Sequence, residues 1–129
     1  MKYPPLPLKE LKKPRRSKYG NTRVDCMGFT FDSILERDHY LFLRSCEAAG
    51  KITQLELQPR IPLSAHGRHI CDYIADFRYR LANGRVVYSD AKGCLTDVFR
   101  IKWRLFEAQT GYKLHLVGRK NVTELGTGD

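Results

Sequence analysis

The sequence predicts an α/β fold with a mixed central sheet flanked by helices. Three observations lead there. Two segments combine a capping residue with helical spacing of apolar side chains, at about Ser33–Ala49 and from Thr96 or Asp97 to about Gln109. Between them lie segments rich in aromatic and β-branched residues, which suit strands. A short run, Tyr112–Val117, follows the second helix and makes a last strand. The length of 129 residues suits one domain, and 42% apolar residues are enough for a core.

Residues 1–20 hold four of the six prolines and are predicted to be an extended, basic, Pro-rich arm. Residues 21–31 read as irregular, with a short strand near Met27–Phe31. In the first helix Ser33 and Glu36 have capping-box spacing, Asp32 adds negative charge at the same end, and Gly50 suits the position after the helix. Ile52 to Leu63 reads as a strand limited by Pro59 and Pro62, and Ser64–Arg68 as a loop. Ile70–Leu81 and Arg85–Ser89 read as strands joined at Asn83-Gly84, a strong hairpin signal. The first three strands should form an antiparallel meander. The last follows a helical crossover and should run parallel to the third. The globular domain is expected over residues 21–120, with 121–129 as a C-terminal tail.

The formal net charge is +9. Residues 1–20 carry seven basic side chains and the single acid Glu10, whereas the body carries 16 basic and 13 acidic residues. That imbalance is unusual for a metabolic enzyme and points to a polyanionic partner, with the arm residues Arg15, Arg16 and Lys18 suited to phosphate contact. A solvated tail is the plainer explanation. No apolar run is long enough to span a bilayer and no signal peptide is visible. Cys26, Cys46, Cys71 and Cys94 lie far apart without a C-x-x-C pair, which argues against a zinc site and for reduced thiols in a cytoplasmic protein.

The chemistry is concentrated around the hairpin. Asp90 and Lys92 are two apart on a strand and share a face. Asp76 joins them only in one register. A two-residue Asn83-Gly84 loop puts Asp76 opposite Ala91, facing away from Asp90. A three-residue Ala82-Asn83-Gly84 loop, or a bulge elsewhere, puts Asp76 opposite Asp90. One of these two is expected. Carboxylates facing each other at about 5 Å repel and call for a cation, and hard ions such as Mg²⁺ or Mn²⁺ suit oxygen ligands. Glu36 completes the cluster if its helix packs beside the hairpin, and Lys92 is placed to orient water or stabilise charge on a phosphate. Each has a plainer role: Glu36 as partner of Ser33 in a capping box, Lys92 as a salt-bridge partner of Asp90. An acid at Asp76, among Tyr73, Ile74, Ala75 and Phe77, is harder to explain structurally.

The segments Phe31-Asp32-Ser33 with Glu36, Tyr73-Ile74-Ala75-Asp76-Phe77 and Ser89-Asp90-Ala91-Lys92-Gly93, followed by a basic helix, resemble the PD-(D/E)XK nuclease superfamily over about residues 29–118. The layout is particularly similar to the phage endonuclease I group of Holliday-junction resolvases. It also resembles small phage and prophage proteins of that superfamily without settled function. The resemblance implies a restriction-endonuclease-like core of helix, three strands, helix and strand. It further implies Mg²⁺- or Mn²⁺-dependent hydrolysis of DNA phosphodiesters, to 5′-phosphate and 3′-hydroxyl ends, on branched or junction DNA by a homodimer. Asp76, Asp90 and the Ala91 carbonyl would be metal ligands, Glu36 would bind a metal or its water, and Lys92 would be the catalytic lysine. Ala75 stands where proline is usual, and Asp90 replaces the commoner glutamate. Gln58 is a weaker candidate for touching DNA. Arg100, Lys102 and Arg104 form a basic strip on the second helix, and Trp103 beside them reads as core. His39, His66, His69 and His115 show no ligand spacing, although His66 and His69 lie near a loop and have a possible substrate contact. Two other readings remain: a nicking or end-cutting subunit of a mobile element, and a non-catalytic nucleic-acid-binding protein with a degenerate nuclease fold.

Overall fold

A computed structural model describes residues 15–16 and 22–128. It is an α/β fold with two helices and a mixed sheet. Ser33 caps the first helix, α1 (Ile34–Ala48), by accepting a 3.0 Å hydrogen bond at its Oγ from the Glu36 N–H. Thr96 caps the second, α2 (Asp97–Thr110), in the same way through the Phe99 N–H, and Gly111 closes it at φ 80°.

Ahead of α1, the 21–31 stretch expected to be largely irregular contains the short antiparallel strands β2 (Thr22–Cys26) and β3 (Phe29–Phe31), turning at Met27-Gly28, and β1 (Arg15–Arg16) of the expected extended arm pairs with β2. Of the basic arm only Arg15–Arg16 lies within the described residues, as β1. Lys18 and the rest of the arm lie outside them.

The expected strand Ile52–Leu63 is two strands, β4 (Ile52–Leu57) and β5 (Arg60–Ala65). Its partner Ile70–Leu81 is likewise divided into β6 (Arg68–Ile74) and β7 (Phe77–Leu81). Two features cause the division. Gln58 takes a left-handed φ of 52°, and Pro59 has no N–H to donate. The two breaks face each other and stay bonded: Gln58 N–H donates to the Asp76 carbonyl at 2.9 Å, and Ala75 N–H to the Pro59 carbonyl at 3.2 Å. A long hairpin therefore bends at Gln58–Pro59 and Ala75–Asp76. The expected loop Ser64–Arg68 shrinks to a tight turn at His66-Gly67, with φ 51° and 77° between paired Ala65 and Arg68.

The main sheet has the order β4-β7-β8-β9, with β8 (Val86–Ala91) antiparallel to β7 and parallel to β9 (Leu114–Val117). This is the expected meander followed by a parallel strand. Along β8, Val87 packs with Tyr40 and Leu43 of α1, whereas Tyr88 packs with Phe106 of α2. The helices thus cover opposite faces, as strand alternation requires. Residues 121–128, expected as a tail, are instead folded against the body. Leu125 packs on the α1 core, Tyr79 Oη accepts from the Gly126 N–H at 3.1 Å, and the Val122 carbonyl lies 2.7 Å from His39 Nδ1. A Cβ on Gly126 would stand 2.7 Å from Val87 Cγ1, so the chain approaches there as only glycine allows.

The β7–β8 turn decides the register. Leu81 N–H donates to the Arg85 carbonyl at 2.8 Å, Gly84 N–H to the Leu81 carbonyl at 2.9 Å, and Gly84 holds φ 91°. This is the three-residue loop. A Cβ at Gly84 would touch nothing within 4 Å, so its substitution costs backbone strain alone. Gly84→Ala is expected to destabilise by about 1 kcal/mol, a fall of roughly 4 °C in Tm, and Gly84→Asn by less, because asparagine tolerates the left-handed region. Thermal unfolding by circular dichroism checks this.

Candidate active site

With Arg80 paired to Val86 and Phe77 to Ser89, the same register brings Asp76 level with Asp90. Asp76 sits in the bend just before β7, and Asp90 near the end of β8, fully buried. Asp76 Oδ2 accepts a 2.8 Å hydrogen bond from the Ala91 N–H, which ties the two strands at the level of the acids. Lys92, one residue beyond β8, anchors its backbone N–H on the Val117 carbonyl at 3.0 Å. Its ammonium lies 3.6 Å from Asp90 Oδ1 and 4.9 Å from the centre of the Phe99 ring in the first turn of α2.

Glu36 is buried at 6% exposure, in the first turn of α1. Its carboxyl is in electrostatic contact with Asp76, Asp90 and Lys92, so its chemistry lies with the cluster even though its N–H serves the Ser33 cap. Burial, then the charge of Asp32, pushes the Glu36 carboxyl up to about 7, against the pull of Asp76 and Lys92. Burial raises Asp76 well above the ordinary aspartate range too, reinforced by the charges of Asp90 and Glu36. The three carboxylates around Lys92 outweigh the burial of its side chain and raise its pKa, so it stays cationic.

Tyr73 of β6 was not a candidate from sequence. Its hydroxyl donates to Asp90 Oδ2, and burial followed by the Asp90 charge drives its own pKa upward, so it remains a neutral donor. Nothing in the spacing signals this. Tyr73 reaches Asp90 only because the chain bends at Ala75–Asp76. With Oδ2 held by Tyr73, Asp90 Oδ1 is buried and has no hydrogen-bond partner among the described residues. Its charge is met by the Lys92 ammonium at 3.6 Å, beyond hydrogen-bond distance, which leaves its lone pairs open to a hard cation. No three His, Cys, Asp or Glu side chains among the described residues converge closely enough to hold an ion by themselves. A site here would therefore rest on the Asp76–Asp90 pair together with backbone and water oxygens.

A pocket of about 290 Å³ opens beside the acids, lined by Gly28, Phe29, Thr30, Phe31, Glu36, Leu57, Gln58 and Asp76. Gln58 thus borders the acids. The basic strip divides: Arg100 and Arg104 are four apart, share an exposed face of α2 and flank the exposed Ile101, whereas Lys102 turns about 200° away at helical pitch and is half-buried. Trp103 is half-buried against the α2 core and donates through Nε1 to Glu107 Oε2 at 2.8 Å. His66 and His69 are exposed on the β5–β6 hairpin, where His69 lies 2.9 Å from Asp72 Oδ1, while His39 is fully buried. All four cysteines are free, and no described helix is long and apolar enough to cross a membrane.

A family model described as "Protein of unknown function (DUF1064)" matches residues 16–122, most of the chain and all of the acidic cluster. The chain belongs to this DUF1064 family. The match begins inside β1 and ends after β9, so the folded unit and the family region nearly coincide. No curated protein and no solved structure matches the chain.

Proposed function

We propose that this DUF1064 protein is a Mg²⁺- or Mn²⁺-dependent DNA endonuclease that hydrolyses phosphodiester bonds, acts on branched or junction DNA, and works as a homodimer. The observation that carries the reading is the pair Asp76 and Asp90 facing across β7 and β8, with Lys92 3.6 Å from an Asp90 oxygen that has no hydrogen-bond partner. The order of helix, antiparallel meander, helix and parallel strand supports a restriction-endonuclease-like core.

Asp76, Asp90 and the Ala91 carbonyl are the groups that would hold the ion, with Glu36 at its margin. Bound there, the ion would supply Lewis acidity toward a phosphate oxygen and acidify water. Tyr73 fixes the rotamer of Asp90 by donating to Oδ2. Lys92, kept cationic by the acids around it, offsets charge gathering on the phosphate and orients the attacking water. Arg100 and Arg104 on the open face of α2 are available to phosphates further along, and the positive charge of Arg15, Arg16 and Lys18 in the arm suits the same role. These contacts would strengthen binding without reading sequence. A junction carries two strands to cut, which two copies of one site serve by symmetry.

The test is cleavage of a synthetic four-way junction beside a linear duplex of the same sequence, with Mg²⁺ or Mn²⁺. The junction should be cut at least tenfold faster, by paired nicks. Equal cutting of the two rejects junction specificity, and cutting of neither rejects the nuclease.

A further inference from the structure

We propose that the pocket between the β2–β3 turn and the Gln58 bend receives a single unpaired nucleobase, so that this protein selects DNA with a nucleotide freed from its partner beside the reacting phosphate; the inference rests on the endonuclease reading and names the substrate feature its site selects. The volume, about 290 Å³, falls just below the roughly 300–1,000 Å³ of small-molecule pockets, as a site for one base rather than a larger ligand would. A cavity of that volume holds a single base and not a stacked duplex. Its walls have the chemistry of base recognition. Phe29, whose ring packs on Phe31 and Tyr40 and is thereby held in place, contributes an aromatic wall, and Leu57 an apolar surface. Gln58 contributes an amide that both donates and accepts, matching the edge of a base. Asp76 belongs to both places: it lines the pocket and it stands level with Asp90. A base seated there brings its adjoining phosphodiester to the carboxylates.

The experiment measures binding of the full chain, by fluorescence anisotropy in EDTA and in Ca²⁺, to three labelled DNAs: a paired duplex, the same duplex with a one-nucleotide bulge, and the duplex with an abasic bulge. Cleavage of all three is measured in Mn²⁺. The bulged duplex should bind at least tenfold more tightly than the paired one, and the abasic bulge should lose most of that advantage. Phe29→Ala and Gln58→Gly should each cut the preference to threefold or less. Gln58→Gly guards against loss of fold, because glycine relieves the left-handed backbone, and its Tm should not fall. An abasic bulge that binds as well as the base-bearing one overturns the proposal, since DNA flexibility then explains the preference. So does a preference untouched by Gln58→Gly. Base-dependent binding without any cutting would retain the pocket and remove the endonuclease; cutting without base dependence would do the reverse.

Discussion

Asp90→Asn is expected to lower single-turnover DNA cleavage by about a thousandfold or more, while the protein stays folded. The side chain keeps its shape, and Tyr73 can still donate to the remaining oxygen. Lys92 loses one partner, but removing the Asp90 charge also removes a cause that keeps Asp76 protonated, so a carboxylate remains beside the ammonium. What disappears is the charge of the buried Oδ1, the atom aimed at a cation. A thousandfold is about 4 kcal/mol of transition-state stabilisation, within the range of a preorganised electrostatic group. Lys92→Ala is expected to cost about a hundredfold or more, with full folding. Rates on a four-way junction in Mn²⁺, beside thermal unfolding of each variant, check both. Cleavage by Asp90→Asn within tenfold of the parent would remove the site from catalysis. If neither variant changes anything while truncation of the basic arm abolishes function, the protein binds nucleic acid without cutting it.

The second large effect is a pH-dependent stabilisation by Mg²⁺. Without an ion, the folded chain keeps protons on its acids that the unfolded chain releases. Glu36 has an ordinary value of 4.5 and is pushed to about 7, so stability falls as pH rises through that window, by on the order of 3 kcal/mol. Asp76 adds loss in the same direction. His39 works oppositely. Buried and held near 4, it contributes stability that is complete above 6.5 and lost as pH falls toward 4. The ion-induced gain in Tm isolates the acids, because His39 takes no part in that gain. Protons compete with Mg²⁺ for Asp76 and Glu36 at pH 5.5 and much less at pH 8. A hundredfold excess over Kd adds about 2.7 kcal/mol, so the gain should reach several degrees at pH 8 and shrink at pH 5.5. Asp76→Asn should abolish the gain and leave the metal-free protein more stable at pH 8. An equal gain at both pH values, or one that survives in Asp76→Asn, would place ion binding elsewhere.

Capping, periodicity and turn chemistry are local, and they were legible. Ser33 and Thr96 begin the helices where their hydroxyls predict, Gly111 ends the second, and Tyr112–Val117 contains the final parallel strand. The hairpin also narrowed its own choices: with Asp76 and Asp90 as partners, an odd loop or a bulge was required, and the loop has three residues. The basic strip was legible only in composition. Helical pitch separates Lys102 from Arg100 and Arg104, which a reading by adjacency overlooks.

By itself, then, the sequence determined the two helix ends, the meander and the final strand of the main sheet, and the shared face of Asp90 and Lys92, because each depends on residues within a few positions of one another. Tertiary structure alone decided the rest. The bend that divides the long hairpin requires Gln58 and Pro59 to meet Ala75 and Asp76 across it, and this bend lets Tyr73 reach Asp90. The packing of α1 turned Glu36 from its cap toward Asp76, and burial, with the charges of Asp32 and Asp90, drew its carboxyl up to about 7. The folding of residues 121–128 onto Tyr79 and His39 likewise depends on partners more than forty positions away. Burial and electrostatic coupling belong to the assembled environment, and no local pattern in the chain encodes them.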